Sequence, residues 1–381
     1  MLASLNQRLA IGLATRPIGP RESLRRGGRL ITEPNMVVKC TAPIRICDLG
    51  GWTDTWFAGT GKVLNLAVFP SVEVTVITRA KKRHEPPITI HAENYHDSYD
   101  IDTRSKSWAK HPLIEAGFKL FKLPRNLHLS VSIFSEAPAG ASTGTSASVS
   151  VAILGALDLL SGRSLTSYEL ARKAHYVESE LLGLQSGIQD QLCAAYGGVN
   201  FIEMTQYPEA SVSPVVLPDD LAWELESRLL LIYLGKPHSS SRVHEMVIRR
   251  LERSPRYRQS LEPLRQAAVA GKEALLRGDL AAFGRALIEN TAAQKTLHPD
   301  LIGERALAVI RVARKHGVAG YKVNGAGGAG GSVTLLLQAA ARDKHALIRE
   351  IEQAHPDFRN IPVRLAPHGL RRWIGDGRAI G

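Results

Sequence analysis

Residues 138–149 read Pro-Ala-Gly-Ala-Ser-Thr-Gly-Thr-Ser-Ala-Ser-Val, and an apolar helical pattern follows at once. Val149, Ile153, Ala156, Leu157 and Leu160 recur on one face, and Gly162 supplies a stop. Small residues let backbone approach a ligand closely, and Gly140 and Gly144 can take dihedrals closed to other residues. Free N–H groups and the positive end of the helix dipole then converge on one point, which suits a phosphate. The competing reading is a helix start of small residues with no ligand. No lysine follows the glycines, so this is not a Walker loop. Counter-charge for a phosphate must come from elsewhere, a role suited to a metal held by Ser146.

Two carboxylates downstream bear on that point. Thr166 and Glu169 form a capping box for a helix expected to run to Gly183, with Leu170, Ala174, Val177 and Leu181 as its apolar stripe. Glu178 falls on the flank shared with Ala171, Ala174 and Leu182. A carboxylate there needs a cation or donors, supplied by a magnesium ion or by an Arg or Lys partner. Ser186 and Gln189 read as a second capping box, and Asp190 follows at that helix start, where the dipole favours its ionised form. Asp190 can orient or deprotonate a hydroxyl nucleophile, or simply complement the dipole.

Residues 42–54 read Ala-Pro-Ile-Arg-Ile-Cys-Asp-Leu-Gly-Gly-Trp-Thr-Asp. Arg45 stands mid-strand among apolar residues and calls for a buried anion. The Gly-Gly-Trp-Thr-Asp turn offers a carboxylate, a hydroxyl and an aromatic plate, groups that suit a sugar; the other reading is a capped turn with Trp52 in the core. A third segment, Asn324-Gly-Ala-Gly-Gly-Ala-Gly-Gly331, formally contains G-x-G-x-x-G. A β-type run, Ser332-Val-Thr-Leu-Leu-Leu, follows it, and too little chain remains for a dinucleotide fold. A glycine loop between two strands can still lie against a phosphate or against the first glycine loop; a mobile hairpin is the alternative.

The bulk numbers narrow the class. The chain has 381 residues, 44% hydrophobic and 22% charged, enough for two domains of an ordinary soluble protein. No apolar run is long enough for a membrane span. Three cysteines, Cys40, Cys47 and Cys193, show no metal spacing and point to a reducing, cytoplasmic setting without structural disulfides. The net charge is +12, part of it in Gly- and Pro-rich residues 1–36, expected to be a disordered extension, with a transit peptide as the lesser alternative. No basic run carries interleaved aromatics, so no nucleic-acid partner is expected.

Strands are expected at 37–47, 62–79, 88–91 and 127–134, with a helix at 111–122. Polar, Pro-containing sequence from Thr205 to Asp220 marks a boundary, giving domains at 37–204 and 205–381. Beyond it come a strand at 228–234, helices over 242–316, strands at 319–323 and 332–338, a helix near 341–354 and a strand near 361–365, an α+β pattern. Lys236-Pro-His-Ser-Ser-Ser-Arg242 is either a seat for a second phosphate or an ordinary helix cap with solvated basic residues.

Together these segments resemble the GHMP small-molecule kinases, named for galactokinase, homoserine kinase, mevalonate kinase and phosphomevalonate kinase. Ala42-Pro43-Ile44-Arg45 is similar to the first family motif, Pro138 to Ser148 to the phosphate loop, and Asn324 to Gly331 to the third, over roughly 37–370. Within the family, Asp48 to Thr55 and Gly144-Thr145-Ser146 are similar to the sugar 1-kinases for L-fucose and for D-glycero-D-manno-heptose 7-phosphate, and Ser186-Gly-Ile-Gln-Asp-Gln191, with Ala194 to Glu203, is similar to the heptose-phosphate kinase pattern. Galactokinases carry an acidic residue and His at Gly51 and Trp52, which disfavours galactose. Ser142-Thr143 departs from the usual Gly-Leu of the loop, and Gly330-Gly331 ends the third motif differently.

The resemblance implies a two-domain α+β fold, with an N-terminal domain like ribosomal protein S5 domain 2 and a ferredoxin-like C-terminal domain. It implies an ATP- and Mg2+-dependent kinase acting on the anomeric hydroxyl of a sugar phosphate, D-glycero-D-manno-heptose 7-phosphate before L-fucose. Pro138, Gly140, Ala141, Ser142, Gly144, Thr145, Ser146 and Ala147 would cradle the nucleotide. Ser146 and Glu178 would bind magnesium, Asp190 would be the base, and Arg45 would lie beside it. Asp48, Gly51, Trp52, Thr53, Asp54, Gln189, Gly327 and Gly328 would meet the sugar. A homodimer is compatible with the family. A non-catalytic ligand-binding protein of this fold is the alternative of another class, and intact Arg45, Ser146, Glu178 and Asp190 argue against it.

Overall fold

The computed structural model describes residues 33–105, 107–237, 242–338 and 344–376. The extension expected over 1–36 lies outside them except for its last four residues. In chain order the first part comprises β1 (Met36–Leu49), β2 (Gly61–Ala80), β3 (Ile88–Ala92), β4 (Asp97–Ile101), α1 (Pro112–Lys119), β5 (Leu127–Ser135), α2 (Thr145–Leu160), α3 (Ser167–Tyr176), α4 (Gln189–Tyr196), β6 (Val199–Gln206) and β7 (Glu209–Pro214). The second part comprises α5 (Asp219–Arg228), β8 (Leu229–Tyr233), α6 (Arg242–Arg253), α7 (Pro255–Arg258), α8 (Glu262–Leu276), α9 (Leu280–Leu297), α10 (Glu304–Lys315), β9 (Gly320–Val323), β10 (Ser332–Leu336), α11 (Lys344–Ala354) and β11 (Arg359–Ile361). Two last strands, β12 (Arg364–Leu365) and β13 (Arg371–Asp376), close the described chain.

β1 shows how the sequence builds the site. Over Val38, Lys39, Cys40 and Ala42 it alternates buried and exposed positions, as a strand with one covered face must. From Pro43 to Leu49 every residue is buried, because helices of both parts contact this end of the strand. It runs antiparallel to β2, whose first half pairs with β6 and whose second half pairs with β5. The sheet continues through β3, parallel to β5, to β4. Val151, Leu154 and Leu157 of α2 and Leu170 of α3 bury against its apolar face.

The second sheet, in the order β11-β8-β10-β9, is antiparallel throughout. With one helical excursion between β8 and β9 and α11 between β10 and β11, it has the ferredoxin-like arrangement. One face packs Leu230, Ile232 and Val333 on α10 and α11, and Leu229, Leu231 and Leu336 join a cluster with Phe283 and Leu287 of α9.

Three local expectations change. The helix from Thr166 keeps its capping box but ends at Tyr176, and Val177–Leu181 forms a π-helical turn before Gly183. No capping box forms at Ser186, because α4 begins at Gln189 without a side-chain cap. The polar stretch from Thr205 contains β7, which has no buried residue and therefore no hydrophobic period to read. The division at 204/205 falls inside the β6–β7 hairpin, and β12 and β13 return to pair with β2 and β1.

The returning segment is fixed by charge. Arg372 Nη1 on β13 donates to Asp158 Oδ2 at 2.6 Å, and Leu165 N donates to both oxygens of the same carboxylate. Asp158 is fully buried, which pushes its carboxyl up while Arg372 opposes the shift. Arg372→Met leaves that carboxylate without its cation and should cost about 3 kcal/mol near neutral pH. The folded-state pKa of Asp158 would rise further above its unfolded value, so the deficit should shrink as pH falls. Urea unfolding at pH 7.5 and pH 5 checks this; equal deficits at both would contradict it.

Candidate active site

The loop of residues 138–149 turns into α2 with Gly144 at φ +69, a left-handed conformation that suits glycine. No side chain caps α2, so no capping group competes for its first N–H groups. The loop is held from outside instead. Arg45 N donates to Thr143 O at 2.8 Å, Ser148 Oγ to Pro43 O at 2.6 Å, and Ser332 Oγ to Ala141 O at 2.6 Å. Ala141 and Ala147 are buried beneath it. Thr145, Pro138 and Gly140 are half-buried, and Ser146 is exposed in the first turn of the helix. Ser142 takes φ +58, and its carbonyl accepts from Arg45 Nη1.

Arg45 finds its anion in Asp190, the second residue of α4. Nε donates to Asp190 Oδ1 at 2.8 Å and Nη2 to Oδ2 at 3.1 Å, a two-pronged pair. Burial opposes the guanidinium charge, but Asp190 and then Asp48 hold its pKa above the ordinary value. A Cβ built on Gly144 would stand 3.2 Å from Arg45 Cγ, Asp190 Cγ and Asp190 Oδ2, so the pair lies directly against the loop. The Asp190 side chain keeps 25% exposure, against 6% for Arg45, so the carboxylate is the reachable half.

Glu178 sits in the π-helical turn and is 5% exposed. Its Oε2 accepts from Ser186 Oγ and Gln191 Nε2, each at 2.8 Å, while Oε1 is buried without a hydrogen-bond partner. Burial pushes its carboxyl up to about 7, with the Ser186 hydroxyl opposing and Asp190 adding to the rise. The hydrogen-bond partners found are neutral donors, so the Arg or Lys reading fails and one buried oxygen is left without a donor.

The Gly-Gly-Trp-Thr-Asp turn divides its groups. Asp54 is buried on α4, accepting from Gln189 N at 3.0 Å and Gln189 Nε2 at 3.3 Å. Burial pushes its carboxyl up to about 6 against the Gln189 N–H, and Gln189 Oε1 is left without a partner. Gly51 lies between Gln189 and Asp48, since a Cβ there would meet Asp48 Oδ2 at 3.0 Å and Gln189 Nε2 at 3.4 Å. Thr53, expected to meet the sugar, instead donates to Gly50 O at 2.7 Å and Lys62 O at 3.1 Å, closing the turn on itself. Trp52 packs in a core cluster with Phe57, Leu264 and Leu297, stacked on His244 at 5.7 Å, which favours the core reading over the aromatic plate. Asp48 is 1% exposed and accepts from Gly325 N at 3.1 and 3.0 Å, with Lys322 Nζ at 3.4 Å, so protein groups occupy the carboxylate expected to meet the sugar.

The third glycine segment rests on the first. A Cβ on Gly331 would fall 2.4 Å from Ser142 Oγ, and one on Gly325 3.1 Å from Ser142 Cβ. Asn324 locks it, donating to Ser332 Oγ and Thr334 Oγ1 and accepting from Cys47 N. Gly327 and Gly328 turn toward the segment before α10, where Gly328 N donates to Leu301 O at 2.8 Å. Gly331 N donates to Lys236 O at 3.0 Å, which brings the start of the 236–242 segment beside this loop; residues 238–241 lie outside the described residues. Sequence reasoning missed Lys322, a lysine within an apolar strand and fully buried, and Gln294, which donates to Gly325 O at 3.1 Å.

Residues 112–198 match the family described as GHMP kinases N terminal domain. The chain is 26% identical over 350 residues to the D-glycero-alpha-D-manno-heptose 7-phosphate kinase of Campylobacter jejuni, covering 88% of this chain and 98% of that protein. It is 26% identical over 338 residues to the bifunctional fucokinase/GDP-fucose pyrophosphorylase of Arabidopsis thaliana, covering 84% of this chain but only 31% of that protein. A D-glycero-D-manno-heptose 1-phosphate kinase structure from Bacteroides thetaiotaomicron superposes with a TM-score of 0.68 at 24% identity, over 88% of this chain and 98% of that one. The chain has the GHMP kinase fold and carries that family's N-terminal domain.

Gly144→Ala tests how closely the loop and the ion pair are fitted. A left-handed alanine costs about 1 kcal/mol in stability. Its methyl group would also press on Arg45 and Asp190, so kinase turnover should fall by at least about tenfold, well beyond what that small stability loss explains. Turnover within twofold of the parent would show that the fit is unimportant.

Proposed function

Starting from a kinase with the GHMP fold, we propose that this chain transfers the γ-phosphoryl group of ATP to the anomeric hydroxyl of a sugar phosphate, D-glycero-D-manno-heptose 7-phosphate. One observation carries the chemistry. The reachable carboxylate of Asp190, gripped by Arg45, lies against the glycine that opens α2. A proton acceptor and a helix N-terminus thus address one point, which phosphoryl transfer to a hydroxyl requires.

The roles follow from the partners each group has. The N–H groups at the start of α2 receive phosphate oxygens. Asp190 orients the anomeric hydroxyl and takes its proton as the O–P bond forms. Arg45, fixed by Asp190 and the Ser142 carbonyl, sets positive charge beside the transferring group. Ser146 Oγ and the open Glu178 Oε1 would hold Mg2+, which when bound supplies counter-charge for the phosphates. Asp54 and Gln189 Oε1 offer buried acceptors for sugar hydroxyls. The end-to-end match to the Campylobacter jejuni kinase and the position of Lys236 beside the third glycine loop support a substrate with a second, remote phosphate.

Coupled ADP release at matched ATP, with D-glycero-D-manno-heptose 7-phosphate and L-fucose side by side, tests the substrate. The heptose phosphate should lead in kcat/KM by at least about tenfold, equivalent to about 1.4 kcal/mol. A clear lead for L-fucose overturns the heptose assignment and leaves a sugar 1-kinase. Asp190→Asn should lose at least about 100-fold in turnover, measured at a temperature where the variant is still folded, because it also removes the anion that pairs with Arg45; near-normal turnover removes Asp190 from the chemistry. Glu178→Gln should raise the magnesium concentration for half-maximal activity and lower turnover, and superimposable magnesium titrations would reduce Glu178 to a structural acid.

A further inference from the structure

Four charged groups share the floor of this site. Arg45 is 5% exposed, and Asp48 and Lys322 are 1% each, with Asp190 beside them. Asp190 holds Arg45 through two hydrogen bonds, yet Asp48 Oδ1 also lies 3.9 Å from Arg45 Nη1. The guanidinium therefore has two carboxylates within reach, and only one of them faces the phosphate loop. What engages Asp48 elsewhere is the Gly325 N–H and the Lys322 ammonium at 3.4 Å. Lys322 Nζ also donates to Gln294 Oε1 at 3.2 Å, and Gln294 Nε2 donates to Gly325 O at 3.1 Å. Gly325 is thus held at its N–H by Asp48 and at its carbonyl by Gln294, both tied to the same lysine.

We propose that Lys322 is a positioning residue for the reaction: it neutralises Asp48, so that Arg45 stays paired with Asp190 and the third glycine loop stays seated on Ser142. The inference rests on the reading that Arg45 and Asp190 act in the transfer. Without the ammonium, the nearest cation to the buried Asp48 carboxylate is Arg45, and a buried anion exerts a strong pull in a site that excludes water. Burial pushes the Lys322 ammonium below its ordinary pKa, with Asp48 opposing the shift. If Lys322 served only to fill the core, removing Asp48's charge as well would not undo the damage of losing it.

The test is a double-mutant cycle in the full-length enzyme with ATP and the preferred sugar. Lys322→Met should lower kcat by at least about tenfold while KM for ATP changes less than about threefold. Adding Asp48→Asn to Lys322→Met should restore kcat to within about threefold of the parent, because the amide oxygen still accepts from Gly325 N while the competing charge is gone. The Arg45 Nε–H resonance, assigned by its loss in Arg45→Lys, should shift in Lys322→Met and return in the double variant. A double variant no better than the single, or a single variant within twofold of the parent, overturns the proposal. Should Lys322→Met fail to fold, the double variant decides alone: parental kcat supports the proposal, and a tenfold loss overturns it. Asp190→Asn separates the premise from the inference. An active Asp190→Asn sinks the catalytic reading, while the Arg45 resonance still reports whether Lys322 governs the pair. An inactive one with no rescue sinks the Lys322 role alone.

Discussion

A guanidinium buried in the middle of a strand can exist only if an anion meets it, and that requirement organises this molecule. Arg45 lies where both faces of β1 are covered, so water cannot solvate it. Its partner Asp190 comes from the start of α4, nearly 150 residues later in the chain. Bringing the two together fixes where α4 must lie against β1, and the Arg45 backbone and side chain also bind Thr143 O and Ser142 O. The glycine loop before α2 is therefore held by the same residue that pairs with the reachable carboxylate of Asp190. Breaking the pair would disturb loop geometry and local charge at once.

Much of this was legible because it violates ordinary patterning. An arginine in an apolar strand, glycines at a helix start and a glutamate on an apolar flank are costly unless something uses them; Arg45 and Gly144 meet at Asp190, and Glu178 is buried on neutral donors. Lys322 carried the same signal as Arg45, a cation between Tyr321 and Val323, and could have been found by the same rule. Other residues were misread because their types are ambiguous. Thr53 offers a hydroxyl to a ligand or to a turn, and only the geometry shows that Gly50 O and Lys62 O take it. Asp48 offers a carboxylate to a sugar or to a backbone N–H, and the N–H belongs to a residue 277 positions away. β7 and β13 were invisible for a different reason: neither presents a continuous apolar face, and each is stabilised by pairing with a neighbour the sequence does not indicate.

The departure at Ser142-Thr143 has a structural counterpart. Ser142 sits at φ +58, where glycine is ordinarily favoured, and Gly331 leaves room for its hydroxyl in a space a methyl group would fill. Gly331, which ends the third motif, and Ser142 of the first loop are therefore two sides of one contact. Each looked anomalous in the sequence only when considered alone.

The carboxylates of the site differ less in position than in what holds them. Asp190 is paired with a cation and its side chain remains reachable. Glu178 is held on one oxygen by neutral donors and left open on the other, an arrangement that suits a cation arriving from outside. Asp54 receives only amide donors and is pushed up to about 6, which leaves it able to accept from hydroxyls and, near its titration point, to donate to one. Asp48 is occupied completely by Gly325 and Lys322 and has no oxygen turned to solvent. Four acids lie close together, and the fold keeps their roles apart by giving each a different kind of partner. Two of those partners, Arg45 and Lys322, come from opposite halves of the chain, so the charge balance of the site is complete only when both halves are assembled around it.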